Sequence, residues 1–400
     1  MIGTGAPHDS DGVGAKRAAG SARQRAATYR RRRRTVGAVV LALAVGFAIA
    51  GWQLAMPAPR PALPAQAVVG VSPRPGRVVL PDATLEVRLA QPPGASLSAV
   101  LSPPVAGTWG RCAPRAVCFA ASTYFSPGVR ETLTVTFGSS RMPTPSPARR
   151  AFVAHFSVAP ASVGLAQVLL AQLGYLPLTH SPTTVSGRGR RRRAASDRAA
   201  DSDPAASLVW RYADIPSALR AHWDPGDAGV LTDGALVQFE RVQDIESGTW
   251  PLYATALTPT VWSALLTAAV ARRTDPDPYA IAIVHESRPE YLDIWQDGHV
   301  VLDTLVNTGI PGGATPRGTF YVYQRYRSQT MRGTTTTGKP YLYSDVPDVD
   351  YFQGNIAIHG FARASYGFPQ SQGCVEVPLE VAESVYARLH YGSVVVVLPA

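Results

Sequence analysis

Apolar and polar positions hold one rhythm for a stretch of this chain and then change it, and each change marks a new element. Val36 to Met56 contains no charged side chain and follows an unbroken cationic run, Arg30 to Arg34. A hydrocarbon core about 30 Å thick needs about 20 apolar residues as helix, and a cationic flank stays on the cytoplasmic side. The pattern predicts a basic cytoplasmic tail over 1–35 and a transmembrane helix over 36–56, with everything later outside the cell. Cleavage of a signal peptide is the alternative, because Ala65-Gln66-Ala67 has the small-x-small form, although it lies far beyond the apolar run. Residues 57–67 are rich in Pro and Ala, have no period, and read as a linker.

From residue 68 the period becomes two. Thr84 to Leu89 and Thr132 to Phe137 alternate, and Pro-Gly pairs at 75 and 127 punctuate them, which predicts a β-sandwich domain over 68–160. The period then becomes helical over 161–270. Leu165, Val168, Leu169 and Leu173 share a face that stops at Gly174, and Thr258 followed by Pro259 is an N-cap with a first helical residue. An Arg-rich insertion, 179–207, interrupts this small helical domain. The last domain, 279–400, is strand-rich, opening on Ala280 to Val284 and closing on Ser393 to Leu398. One helix is expected late, where Leu379, Ala382, Val385 and Leu389 recur after Pro378.

Composition changes this picture little: 46% hydrophobic, 16% charged, with 35 Gly and 35 Pro in 400 residues, describes a multidomain folded chain. The net charge of +10 raises nucleic acid as a partner, but the arginines concentrate at Arg30–Arg34 and at Arg188 and Arg190–Arg193, without interleaved aromatics for base stacking. Topology and anionic lipid account for the first cluster; the second reads as a solvated loop or a contact for an anionic wall polymer. Cysteine usage is more informative. In an exported chain Cys112 and Cys118 are near enough in sequence to form a disulfide, which leaves Cys374 as the unpaired thiol. No Cys/His spacing suits a metal such as zinc, and no glycine loop precedes a helix in a way that holds a nucleotide, so no cofactor is expected.

The candidate chemistry lies in His359-Gly360-Phe361 and Ser371-Gln372-Gly373-Cys374-Val375. A thiol is mostly protonated at neutral pH, so Cys374 as nucleophile needs a base, and His359 is the candidate. Gly373 is read as an oxyanion-binding backbone N–H, Ser371 as orienting the loop, and Gly360 as a loop turn. Tyr343, Tyr351 and Phe361 are candidate walls of a substrate groove, with Gln372 and Glu376 beside the thiol.

Asn307-Thr308-Gly309, Thr315-Pro316-Arg317-Gly318-Thr319-Phe320, Ile358-His359-Gly360 and Ser371-x-Gly373-Cys374-Val375 occur in one order. That order resembles the L,D-transpeptidase family, the YkuD-type catalytic domain. The resemblance implies a mainly-β catalytic fold, attack by Cys374 on the third residue of a peptidoglycan stem peptide, and inhibition by carbapenems. Two positions depart from the commoner motif: Gln372 stands where a histidine often precedes Gly-Cys, and Glu376 where an arginine often follows. Upstream, 161–270 resembles the three-helix peptidoglycan-binding module, and 68–160 resembles Ig-like modules of exported wall proteins. The expectation is a cell-membrane protein, N-terminus inside, cross-linking peptidoglycan at the wall. A hydrolase on the same fold and a non-catalytic wall-binding scaffold are the alternatives.

Overall fold

The computed structural model describes residues 67–94, 97–137, 151–180, 204–245 and 257–400. The tail 1–35 and the apolar stretch 36–56 lie outside them, as do most of the linker 57–67 and of the insertion 179–207. Among the described residues no helix is long and apolar enough to cross a membrane.

Two four-stranded sheets open the described chain. One has the order β1 (Val68–Ser72), β3 (Leu85–Leu89), β6 (Ala116–Ala121), β5 (Gly107–Ala113); the other β2 (Val78–Val79), β8 (Phe152–Val158), β7 (Arg130–Phe137), β4 (Leu97–Ser102). Alternation places Leu85, Val87 and Leu89 from the first and Leu133, Val135, Ala154 and Phe156 from the second in one core. Cys112 and Cys118 form a disulfide across the β5–β6 hairpin, with their Cα atoms 5.7 Å apart.

Helix α1 (Val163–Leu173) starts at Ser162, whose side chain accepts from Leu165 N, and ends at Gly174 with φ 95°, a left-handed stop that glycine takes without strain. The strands on either side of the insertion, β9 (Leu178–His180) and β10 (Leu208–Trp210), pair antiparallel, so the chain leaves and re-enters this region through one ribbon. Helix α2 (Val230–Val242) and helix α3 (Pro259–Ala271) follow, the latter capped by Thr258 as its Oγ1 accepts from Val261 N at 3.2 Å.

The C-terminal domain is two sheets. The first has the order β13 (His299–Leu305), β12 (Tyr291–Gln296), β11 (Ala280–His285), β19 (Val394–Leu398), β14 (Gly318–Tyr321); the second β15 (Gln324–Thr334), β16 (Pro340–Gln353), β17 (Ile356–Gly360), β18 (Val375–Val377). Helix α4 (Leu379–Arg388) follows β18. In β11 and β19, Ala280, Ala282, Val284, Val395 and Val397 point into the core shared with the second sheet. Ile281, Val394 and Val396 point the other way, into the core built by α1, α2 and α3. Covered on both faces, these parallel-paired strands read as unbroken apolar runs. The helical segment is therefore packed into the C-terminal domain, and Gly234 of α2 meets Gly392 backbone to backbone, where a Cβ on either would collide.

Candidate active site

Strand β17 pairs parallel with β18, Ile358 opposite Val375, His359 opposite Glu376 and Gly360 opposite Val377. Ile358, Val375 and Val377 face the core between the sheets, so His359 and Glu376 stand on the outer face. Cys374 precedes β18 by one residue and packs with Ala357, Tyr351 and Tyr326 on that same outer face. The thiol and the imidazole are thus one pleat repeat apart along the strands, about 6.6 Å between their backbone levels. Cys374 is half-buried and its Sγ donates to Asn355 O at 3.7 Å. Its hydrogen bond goes to Asn355 and that of the imidazole to Gly360, so the two are not hydrogen-bonded to each other.

Burial pushes the Cys374 thiol up to about 11, and the Glu376 carboxylate adds to the rise, against a lowering hydrogen bond from the Ala357 backbone. Burial likewise holds the His359 imidazole below its usual value, opposed by its hydrogen bond to Gly360 and by the charge of Glu376. The resting pair is a neutral thiol beside a neutral imidazole. The apolar surroundings disfavour the thiolate, in line with the need for a base read from the sequence, so the proton must move as the sulfur attacks. His359 Nδ1 lies 3.0 Å from Gly360 O. A carbonyl oxygen only accepts, so Nδ1 carries the proton and Nε2 is left as the acceptor.

The loop that presents Cys374 is pinned by groups distant in sequence. Ser371 Oγ donates to Cys374 O at 2.5 Å and accepts from Gly373 N at 3.0 Å. Thr315 Oγ1 accepts from Gly309 N at 2.9 Å and donates to Gly373 O at 2.8 Å. Thr308 donates through N and Oγ1 to the buried Glu290 carboxylate, at 2.8 and 2.9 Å, and Asn307 exchanges backbone hydrogen bonds with Glu376. The separated motif pieces therefore converge on one loop. Gly373 sits at φ 130°, and a Cβ there would come within 2.7 Å of Ile356 Cδ1.

Several sequence readings change. The Gly373 N–H is spent on Ser371 Oγ and is not offered to a substrate oxyanion. Gly360 ends strand β17 rather than turning a loop; it is glycine because a Cβ would meet Ala382 Cβ at 2.7 Å, where α4 packs. Gln372 Oε1 accepts from Thr336 N at 2.9 Å, tying the β15–β16 hairpin tip to the cysteine loop, so this oxygen is not free for substrate. Glu376 is buried and held by Arg363, Nε to Oε2 at 2.8 Å and Nη2 to Oε1 at 2.7 Å. Of the aromatics, Tyr343 is 41% exposed and its ring stacks on Tyr341 and meets Phe361 edge-on at 5.0 Å; Phe361 in turn stands 5.9 Å from His359. Tyr351 is half-buried and packs edge-on against Tyr326. Sequence reasoning missed Arg363, Asn355 and Thr336. Arg363 alone left a signal, as a cation four residues after His359.

Among the described residues no cluster of His, Cys, Asp and Glu has the form of a metal site.

Residues 279–397 match the family model of the L,D-transpeptidase catalytic domain, YkuD. The match covers under a third of the chain. Similar solved structures include an L,D-transpeptidase from Mycobacterium smegmatis, 13% identical, covering 84% of this chain and 100% of that one with a TM-score of 0.29. The catalytic domain of an L,D-transpeptidase from E. faecium is 27% identical, covering 30% of this chain and 96% of that one with a TM-score of 0.28. L,D-transpeptidase 3 from Mycobacterium tuberculosis, with a faropenem-derived adduct, is 13% identical, covering 83% and 98% with a TM-score of 0.28. No curated protein matches the chain. The L,D-transpeptidase domain so matched contains every residue of the candidate site, from Glu290 to Glu376.

Proposed function

We propose that this protein is an L,D-transpeptidase held at the cell membrane by residues 36–56, which cross-links peptidoglycan on the outer side through an acyl-enzyme at Cys374. The observation that carries the reading is the placement of Cys374 and His359 on one outer sheet face of a domain that matches the L,D-transpeptidase family model, with Nε2 of His359 left as acceptor.

On this reading Cys374 Sγ attacks the carbonyl of the third stem residue as His359 Nε2 takes the thiol proton. With the Gly373 amide engaged, oxyanion stabilisation falls to the Cys374 amide. The bond to D-alanine breaks, the imidazolium returns its proton to the leaving amine, and a thioester remains. An amine from a neighbouring stem then attacks the thioester and gives up a proton to His359, and the new peptide bond releases the thiol. One bond is exchanged for another, so no nucleotide is consumed. On the same reading the sandwich serves as a spacer, and the helices, which share a core with β11 and β19, are a peptidoglycan-binding-like module.

Incubation with a carbapenem tests this. The intact protein is expected to gain the mass of one drug molecule, and Cys374→Ala to gain none. An adduct of equal yield on the variant would remove the assignment.

A further inference from the structure

Arg363 is held more firmly than a surface arginine: it neutralises the buried Glu376 carboxylate and still keeps one edge of its guanidinium open. Its Nε and Nη2 form a fork on Glu376, at 2.8 and 2.7 Å, and Nη2 also reaches Gln370 O at 3.4 Å. Its guanidinium lies over the Phe361 ring, 4.8 Å from the centroid. The backbone around it is fixed as well: Arg363 N donates to Tyr366 OH at 3.1 Å, and that hydroxyl donates to Phe361 O at 2.5 Å. Nη1 has no protein partner among the described residues, and the side chain keeps 27% of its surface open. A guanidinium fixed on one edge and by its face has a single edge left for a planar anion.

Position gives that edge a use. Glu376, which aims Arg363, stands opposite His359 and two residues beyond Cys374 on the same face. One extended residue spans about 3.3–3.6 Å, so a carboxylate one residue from the carbonyl under attack lies between the level of Cys374 and the level of this pair, about 6.6 Å further along the strands. The aromatic series Tyr343, Phe361, His359 runs beside it and offers a wall for the rest of the peptide.

We infer that Arg363 is a specificity-determining residue that binds a carboxylate of the donor peptide through its Nη1 edge, with Glu376 as the positioning residue that aims it. The inference rests on the transpeptidase reading above and adds the chemical feature by which a donor is chosen. Two groups of a stem share this chemistry: the terminal carboxylate of the leaving residue and a side-chain carboxylate on the third residue.

The test measures binding to the Cys374→Ala protein, which cannot be acylated. Three probes are titrated: a tetrapeptide stem with both carboxylates free, the same stem as its terminal carboxamide, and the same stem with the third side chain as carboxamide. One amidated stem should bind about tenfold or more weakly than the free stem, the size expected for a charge-assisted hydrogen bond, and which one it is identifies the carboxylate. Adding Arg363→Gln together with Glu376→Gln keeps a hydrogen-bonded, uncharged pair in the buried position and should erase the difference while leaving the binding of that carboxamide within about twofold. Equal binding of all three stems before the change, no binding of the free stem, or an equal loss for all three after it overturns the assignment. A carbapenem adduct on the unaltered protein separates this failure from failure of the transpeptidase reading, which would abolish that adduct.

Discussion

Strands β11 and β19 and strands β17 and β18 lie in the same domain, and each pair runs parallel, yet they are used in opposite ways. Both faces of β11 and β19 are covered, one by the second sheet and the other by α1, α2 and α3, and every buried position on them is filled by Ala, Val or Ile, apart from the flanking turn. The pair β17 and β18 has a core face, Ile358, Val375 and Val377, and an outer face on which His359, Glu376 and the neighbouring Cys374 stand. The first arrangement gives a rigid platform without chemistry. The second sets a thiol, an imidazole and a carboxylate on one face, with their backbones fixed by a buried ladder.

Two substitutions sharpen the contrast. His359→Ala should slow acylation by at least about a hundredfold, the usual contribution of a general base, measured as the rate of adduct formation. The pH dependence shows why. With His359 held below its usual value and Cys374 pushed up to about 11, the unaltered protein should react at a nearly constant rate between about pH 7 and 9, falling on the acid side as the imidazole protonates. His359→Ala must instead rely on preformed thiolate, so its rate should climb about tenfold per pH unit toward 11. A flat profile in the variant contradicts the assignment. On the platform, Ile281→Ala removes a fully buried side chain facing the helices and should cost about 2–5 kcal/mol of stability by denaturant unfolding. Its effect on the acylation rate of the folded protein should stay below about twofold, because Ile281 points away from the site.

The same contrast explains what was legible in the sequence. Unbroken apolar runs at 280–284 and 394–398 announce strands covered on both sides, and the alternation in Leu85–Leu89 announces a strand covered on one. Helix starts such as Thr258-Pro259 are readable because capping is decided within three residues. The candidate site was legible only as residue types in order, and the structure gives that order a reason in Thr308 O, which accepts from Ser371 N, and in Thr315 and Ser371, which hold the same loop. Pairings across long separations left no such trace: the 14-residue strand β16, the tie between Thr336 and Gln372, and the Arg363–Glu376 fork each depend on which strands become neighbours. The state of the thiol was also out of reach, since its rise comes from the apolar surroundings that Tyr326, Tyr351 and Ala357 create only after folding.

The most direct measurement of the central claim is product analysis, by mass, after incubating the protein with a disaccharide tetrapeptide. Transfer through Cys374 predicts loss of D-alanine and the appearance of cross-linked dimers, both absent with Cys374→Ala. Trimmed monomers without any dimer, or dimers formed equally by the variant, would contradict it.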